Sequence, residues 1–351
     1  MATTFSEVYG DTPLQLKHIV PLDFDSIHDL PDSHVWTEPF DLLSGKRICQ
    51  SHMDQSNVPI VDLAAPNALE LVGDACRKWG MFQVMNHGVP SSLVGDAESN
   101  VRRLFALPAE QKLKALRSPG GATGYGVARI SPFFSKLMWH EGFTIMGSAV
   151  EHAKILWPQD YEEFCNAMDD YQKQMKSLAH KILVLILESL EAKDLETLVS
   201  AASVHKYSEG ALQLNSYPCC PNHNQAIGLA PHTDSLLLTI LHQNDTEGLQ
   251  VFRENSGWIT VPPVSEALVV NIGDLLHIIS NGEFRTAYHR VVPNETRHRF
   301  TMAFFYGPQG DSVVAPLSSL GSPRYRSVTV KEYLSIKNKH LEKAIPLLKT
   351  G

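Results

Sequence analysis

The sequence has no excess of positive charge. Its 351 residues carry 30 Lys and Arg against 38 Asp and Glu, for a formal net charge of −8, and the basic residues are scattered. That balance argues against nucleic acid as a partner. Long apolar runs are missing too: the longest, "ILVLILESL" from Ile182, is far too short to span a bilayer, so no membrane partner is expected. The opening "MATTFSEVYGDTP" lacks the basic-then-apolar order of a secretory signal. Cysteine is scarce. Cys49, Cys76, Cys165, Cys219 and Cys220 are odd in number and form no CxxC, so there is no disulfide framework and no zinc-ribbon spacing. The adjacent Cys219 and Cys220 stand closer together than zinc thiolates normally do. A cytoplasmic protein with reduced thiols is expected. Nor is there a GxGxxG loop. "SPGGATGYGVARI" is glycine-rich, but no strand feeds it into a helix, and it reads as a flexible loop leading into a strand.

What is present is an ordinary globular balance, 43% hydrophobic and 19% charged. The spacing divides the chain into an N-terminal arm at 1–56, a mixed region at 57–160, a long helix plus β-rich core at 161–310, and a C-terminal segment with a helix at 311–351. "NVPIVDL" predicts a strand. Leu69, Val72, Ala75, Cys76 and Trp79 recur at helical spacing before Gly80 as a stop. "MFQVMNHGV" predicts a strand ending in a turn, with His87 as a turn-stabilising residue. Helix follows to about Leu116. From about Asp160 to Leu190, Phe164, Met168, Tyr171, Met175, Leu178, Ile182 and Leu185 form one stripe, expected to pack under a sheet. After Tyr207 come short β-type runs: "ALQLNSYP", "LLLTILHQ", "GLQVF", "WITVPPV", "ALVVNIGD", "LLHIIS", "RTAYHRVV" and "RFTMAFFYG". Many short strands without intervening helices indicate a sandwich or jelly roll. Thr329 and Glu332 are placed as the capping box of a last helix.

"PHTDSLLLTI", Pro231 to Ile240, sets two polar residues at the head of an apolar run. Read as one strand, it sends His232 and Asp234 to the same face. An imidazole and a carboxylate are half of a two-histidine, one-carboxylate iron site that leaves positions open for substrate and oxygen. His289 in "AYHRVV" is the leading third ligand. His242 and His277 also sit in β-type runs, and a lone histidine there is more often a core residue, so spacing leaves the choice open. Arg299, ten residues after His289, enters an apolar strand, which is costly unless it meets an anion. At period two, Arg299, Thr301, Ala303 and Phe305 share a face, as do Asn215 and Tyr217. A dicarboxylate could chelate iron at one end and meet Arg299 at the other. A strand-end ion pair is the plainer use of that arginine.

These residues carry a family resemblance. "PHTD", His289-Arg290 and the arginine ten residues on, with "GLQV", "LVVNIGDLLHIISNG", "LNSYPCCP", "VPIVDL" and "WGMFQVMNHGVP", resemble the 2-oxoglutarate- and iron(II)-dependent dioxygenases of plants, from about Asn57 to Lys339. "LPDSHVW", "GYGVARISPFFSKLMWHEGFTI", "LWPQDY" and "HTDSLLLTILHQNDTEGLQVF" resemble the gibberellin 3-oxidases. The resemblance implies an α+β fold: a double-stranded β-helix (jelly roll) core with flanking helices and a mixed N-terminal region. It implies His232, Asp234 and His289 as iron ligands, and Arg299, Thr301, Tyr217 and Asn215 around 2-oxoglutarate. Thr301 stands where the family usually has serine, keeping the hydroxyl and adding a methyl.

The implied activity is 3β-hydroxylation of C19 gibberellin precursors to bioactive gibberellins, using Fe(II), 2-oxoglutarate and molecular oxygen with ascorbate as supporting reductant. The metal and co-substrate would carry the oxidation while the protein positions the substrate. A gibberellin is a rigid polycycle with a carboxylate. Phe305, Tyr125 and Trp139 are candidate walls for it, and Arg129 and Lys136 are candidate partners for its carboxylate. A monomer is expected. Rival readings are an oxidase acting at carbon 2 or 20 or on another plant metabolite, and a non-catalytic cupin-like module holding metal.

Overall fold

The structure is a computed structural model that describes residues 4–36, 57–190 and 209–350. Cys49 and much of the arm lie outside these residues. The described helices are α1 Thr4–Gly10, α2 Ala68–Lys78, α3 Ser91–Phe105, α4 Ala109–Leu113, α5 Val150–Leu156, α6 Tyr161–Glu188, α7 Asp274–Ile279 and α8 Val330–His340. The strands are β1 Ile60–Asp62, β2 Met81–Met85, β3 Gly124–Gly126, β4 Glu141–Ile145, β5 Glu209–Tyr217, β6 Leu229–His232, β7 Leu238–Gln243, β8 Leu249–Arg253, β9 Gly257–Thr260, β10 Leu268–Ile272, β11 His289–Val291, β12 Arg299–Gly307, β13 Val313–Val314 and β14 Val328–Thr329. A major sheet runs β1-β2-β10-β7-β12-β5-β4-β3, and a minor sheet runs β6-β11-β8-β9. The two face each other as the jelly roll.

Alternation in the major sheet sorts its side chains into two layers. On β12, Phe300, Met302, Phe304 and Tyr306 join the helix-side core, while Arg299, Thr301, Ala303 and Phe305 line a cavity between the sheets. On β5, Leu212 and Leu214 pack outward, and Gln213, Asn215 and Tyr217 point inward. The outer layer is covered by α6, whose Phe164, Met168, Tyr171, Met175, Leu178 and Ile182 are all buried. Burial of each such side chain contributes about 1.5–3 kcal/mol, which is why so long a helix lies against the sheet. Leu241, Leu249, Val251, Val269 and Val291 make a smaller core between the two sheets.

Local expectations fare unevenly. Gly80 stops α2 with φ +68, and the Thr329 hydroxyl accepts the Glu332 N–H at 3.2 Å as a helix cap. The helix expected to reach Leu116 ends at Phe105; Pro108 cannot continue it, and the short α4 begins after it. "LLHIIS" is helical rather than extended, forming most of α7 after Gly273. Most consequentially, "PHTDSLLLTI" is not one strand. The chain leaves the minor sheet at His232, turns through 233–237, and enters the major sheet at Leu238. A short apolar run has no period that separates these cases.

Candidate active site

β6 is an edge strand of the minor sheet, which is where Pro231 is tolerated, because no partner needs its missing N–H. Among the described residues it pairs with β11 alone, and the register sets His232 opposite His289. The two rings lie 4.3 Å apart between centroids. His232 Nδ1 donates to the Ala230 carbonyl at 2.9 Å, and His289 Nδ1 donates to the Ala287 carbonyl at 2.9 Å. With Nδ1 engaged in this way, each ring has Nε2 left to offer as a ligand atom.

Asp234 arrives from the turn, not from the strand. Its carbonyl accepts the Asp274 N–H at 2.8 Å, and Gly273 packs so tightly beneath that a Cβ there would collide with the Leu236 carbonyl. The carboxylate Oδ1 stands 3.7 Å from His232 Nε2, while Oδ2 accepts from Asn271 Nδ2 at 3.2 Å. One donor atom from each of His232, Asp234 and His289 falls within 4.8 Å of the others, the only such histidine-cysteine-carboxylate group among the described residues. Burial, then the neighbouring His289, holds His232 well below the usual imidazole value. Burial pushes Asp234 up, but His289, His232 and its hydrogen-bond donors outweigh it and hold the carboxyl below the ordinary range.

A second polar cluster faces the triad across the cavity. Arg299 is 1% exposed. Its Nη2 donates to Gln243 Oε1 at 2.8 Å, and Nε and Nη1 have no partner among the described residues. Burial pulls its pKa down to about 10. In the antiparallel pairing of β12 with β5, Arg299 faces Tyr217 and Thr301 faces Asn215. Asn215 Nδ2 donates to the Thr301 hydroxyl at 3.2 Å, and the Arg299 guanidinium lies 5.2 Å from the Tyr217 ring centre. Two buried guanidinium nitrogens without partners would be costly in isolation. Aimed into a cavity, they fit an anion.

A family model described as the 2OG-Fe(II) oxygenase superfamily matches residues 208–308, and one described as non-haem dioxygenase in morphine synthesis N-terminal matches residues 58–164. Gibberellin 3-beta-dioxygenase 1 of Pisum sativum is 50% identical over 350 residues, 97% of this chain and 92% of that one. Gibberellin 3-beta-dioxygenase 1 of Arabidopsis thaliana is 46% identical over 355 residues, 99% of each chain. Among solved structures, JOX2 in complex with 2OG, Fe and JA superposes with a TM-score of 0.76 at 29% identity, covering 95% of this chain and 92% of that one. The rice dioxygenase for auxin oxidation does so with 0.69 at 25%, covering 84% and 100%. The chain belongs to the 2-oxoglutarate- and iron(II)-dependent oxygenases.

The cofactors of these oxygenases are Fe(II) and 2-oxoglutarate, and the residues present suit both. Two imidazoles and one carboxylate, with no thiolate, are a donor set for ferrous iron with open positions. The unpartnered Arg299 nitrogens suit the far carboxylate of a dicarboxylic acid.

The other histidines are engaged elsewhere. His242 Nε2 bonds Glu98 at 2.8 Å. His277 sits on α7 between the Phe284 carbonyl, at 2.6 Å, and the Tyr325 hydroxyl, at 2.8 Å. His87 stabilises its turn, accepting the Val89 N–H at 3.1 Å.

Of the substrate candidates, Phe305 and Arg129 line the cavity. Tyr125, Trp139 and Lys136 lie outside its wall. The Tyr125 hydroxyl donates to Glu141 at 2.6 Å in a buried network with Lys112. The Trp139 indole donates to the Pro218 carbonyl at 3.0 Å, and Lys136 Nζ donates to the Asp32 carbonyl at 2.8 Å on the surface. Sequence reading missed Gln243, Asn271, Arg117 and Tyr9. No local pattern marks them, and Gln243 and Asn271 act on partners 56 and 37 residues away.

Proposed function

We propose that the protein is a gibberellin 3β-hydroxylase in which His232, Asp234 and His289 hold Fe(II), and Arg299, Thr301, Asn215 and Tyr217 receive 2-oxoglutarate. One observation carries the reading. The triad, the two unpartnered nitrogens of Arg299 and an apolar wall share one cavity, in a chain half identical over nearly its full length to a gibberellin 3-beta-dioxygenase.

When bound, iron and 2-oxoglutarate supply the oxidising power that converts a C–H bond to C–OH, with 2-oxoglutarate and molecular oxygen consumed and succinate and carbon dioxide released. The residues do the rest. The carbonyls of Ala230 and Ala287 fix the imidazole tautomers, so that both Nε2 atoms face inward. Asn271 engages Oδ2 of Asp234 and leaves Oδ1 for the metal. Arg299 sets the direction from which the dicarboxylate enters, and Gln243 holds the guanidinium in plane. Leu229, Leu241, Leu249, Val291 and Phe305 exclude water from the reacting face. No described helix is long and apolar enough to cross a membrane.

The test is product analysis. The protein, Fe(II), ascorbate, 2-oxoglutarate and a panel of C19 gibberellins are incubated in air, and the new hydroxyl is located by mass spectrometry and NMR. A 3β-hydroxyl supports the reading; a hydroxyl only at carbon 2 replaces it.

A further inference from the structure

The cavity contains two more arginines besides Arg299. Arg117 is 3% exposed, donates through Nη2 to the Val127 carbonyl at 2.6 Å, and has no partner for Nε. Arg129 donates through Nη1 to the Gly121 carbonyl at 2.7 Å, and its Nε and Nη2 are buried without a partner. Neither forms an ion pair with a carboxylate among the described residues. Both line the cavity, together with Tyr9, whose ring lies under the Arg129 guanidinium at 3.8 Å. Burial, then the nearby charge of Arg129, pulls Arg117 down to about 10. Two desolvated cations that repel each other and have no counter-ion among the described residues are a costly arrangement unless an anion joins them.

That anion is not the one at Arg299. In the major sheet β12 is separated from β3 by β5 and β4, and Arg117 lies on a segment that pairs beyond β3 through Leu116 and Tyr125. Strands sit about 4.8 Å apart, so β12 and β3 are roughly 14 Å apart along the sheet. A five-carbon dicarboxylate cannot bridge that span while also reaching the triad. A second, larger acid can.

The roof over this end is anchored separately. α1, which carries Tyr9, packs on α8. Glu7 pairs with Lys331 at 2.6 Å, and the Leu14 N–H donates to the Pro119 carbonyl at 3.0 Å. Tyr9 thereby holds one face of Arg129 and leaves its edge turned into the cavity.

We propose that Arg117 and Arg129, roofed by Tyr9, form a carboxylate subsite for the organic substrate, distinct from the Arg299 clamp. The proposal rests on the reading above only for which acid is bound. The pair selects a monocarboxylate on a bulky apolar frame over the same frame without its charge.

The test compares a gibberellin with its methyl ester on the Fe(II)-loaded enzyme with 2-oxoglutarate, in the wild type, Arg129→Gln and Arg129→Lys. The wild type should favour the acid by about 10- to 100-fold in kcat/KM, as expected for a charge-assisted pair. Arg129→Gln should reduce that preference to about threefold or less by raising KM for the acid and not for the ester. Arg129→Lys should restore part of it. KM for 2-oxoglutarate, within about twofold throughout, reports that the variants fold. Equal use of acid and ester by the wild type, or a preference that survives Arg129→Gln, overturns the subsite. Should no gibberellin be hydroxylated, the functional reading fails and the subsite is judged by binding. Thermal stabilisation of the loaded, oxygen-free protein is then measured with jasmonic acid, indole-3-acetic acid and their methyl esters. Stabilisation by an acid and not its ester, lost in Arg129→Gln, sustains the subsite; no acid preference removes it.

Discussion

Gln243 holds Arg299 from the side: its Oε1 accepts Nη2 of the guanidinium at 2.8 Å, and both side chains are buried. The contact engages one nitrogen and leaves two for a ligand. Gln243→Leu frees the guanidinium to swing and should raise KM for 2-oxoglutarate about 10-fold, near the lower end of the worth of one hydrogen bond to a charged group. Gln243→Glu should be worse, about 30-fold or more, because a carboxylate there pairs with the arginine and repels the co-substrate. Steady-state kinetics over a 2-oxoglutarate series checks the order; Gln243→Glu equal to wild type would remove Gln243 from this role.

Asn271 stands behind Asp234, its Nδ2 donating to Oδ2 at 3.2 Å. Asn271→Leu leaves the three proposed ligands in place and loosens one of them. Iron affinity should fall about 10- to 100-fold. Equilibrium dialysis with Fe(II) under anaerobic conditions, or with Mn(II) as a substitute, measures it without turnover.

Lys337 ties the C-terminal helix α8 to the turn between the proposed ligands. Its Nζ donates to Thr233 Oγ1 at 2.6 Å and to Asp274 Oδ2 at 2.8 Å, where Tyr333 also donates at 2.5 Å. Asp274 is 0% exposed. Lys337→Met strands that carboxylate and should cost about 3–5 kcal/mol in urea unfolding. The double variant Lys337→Met/Asp274→Asn should recover most of the loss, since the fully buried charge is then gone and Glu342, which loses its 3.9 Å pairing with Lys337, keeps the Thr233 N–H. A double variant no more stable than the single would place the cost in packing instead.

How far the sequence could be read follows from these same residues. Arg299, Thr301 and Phe305 were legible because β12 lies inside a sheet with helices on one face and the cavity on the other, so period two holds along its length. His232 and Asp234 do project to one site, but for a different reason than strand alternation. His232 closes β6, and Asp234 sits in the turn that carries the chain to the other sheet. Leu236 and Leu237 are buried within that turn, which is why it reads as a continuation of the strand. Gln243 and Asn271 act on partners 56 and 37 residues away, and Arg129 meets Tyr9 from near the N-terminus. Contacts of that kind leave no mark on local periodicity. Tyr125 and Trp139 are buried away from the cavity wall; an aromatic near a cavity and one in the core look alike until the sheet closes.

Stability should carry a pH signature from His140. The ring is 0% exposed and neutral, its Nε2 accepting the Ala128 N–H at 3.0 Å. Burial pulls its pKa down to about 3 from an ordinary value of 6.5. The unfolded chain therefore takes up a proton that the folded chain refuses. The stabilisation is fully present above pH 6.5 and is lost as pH falls towards 3. At pH 5 the loss should be about 2 kcal/mol relative to neutral pH. Urea unfolding of wild type and His140→Phe at pH 7.5 and 5.0 isolates this contribution. The acid-induced loss should be smaller in the variant by that amount, and an unchanged difference would assign the signature to other groups.

The most direct measurement of the central claim is stoichiometric. Purified protein is supplied with Fe(II), ascorbate, 2-oxoglutarate and a single C19 gibberellin lacking the 3-hydroxyl, and succinate and hydroxylated product are counted together. The account predicts one succinate for each 3β-hydroxylated gibberellin, with both abolished in His232→Ala and Asp234→Ala. Succinate formed at the same rate with and without the gibberellin, and no 3β-hydroxyl in the product, would contradict it.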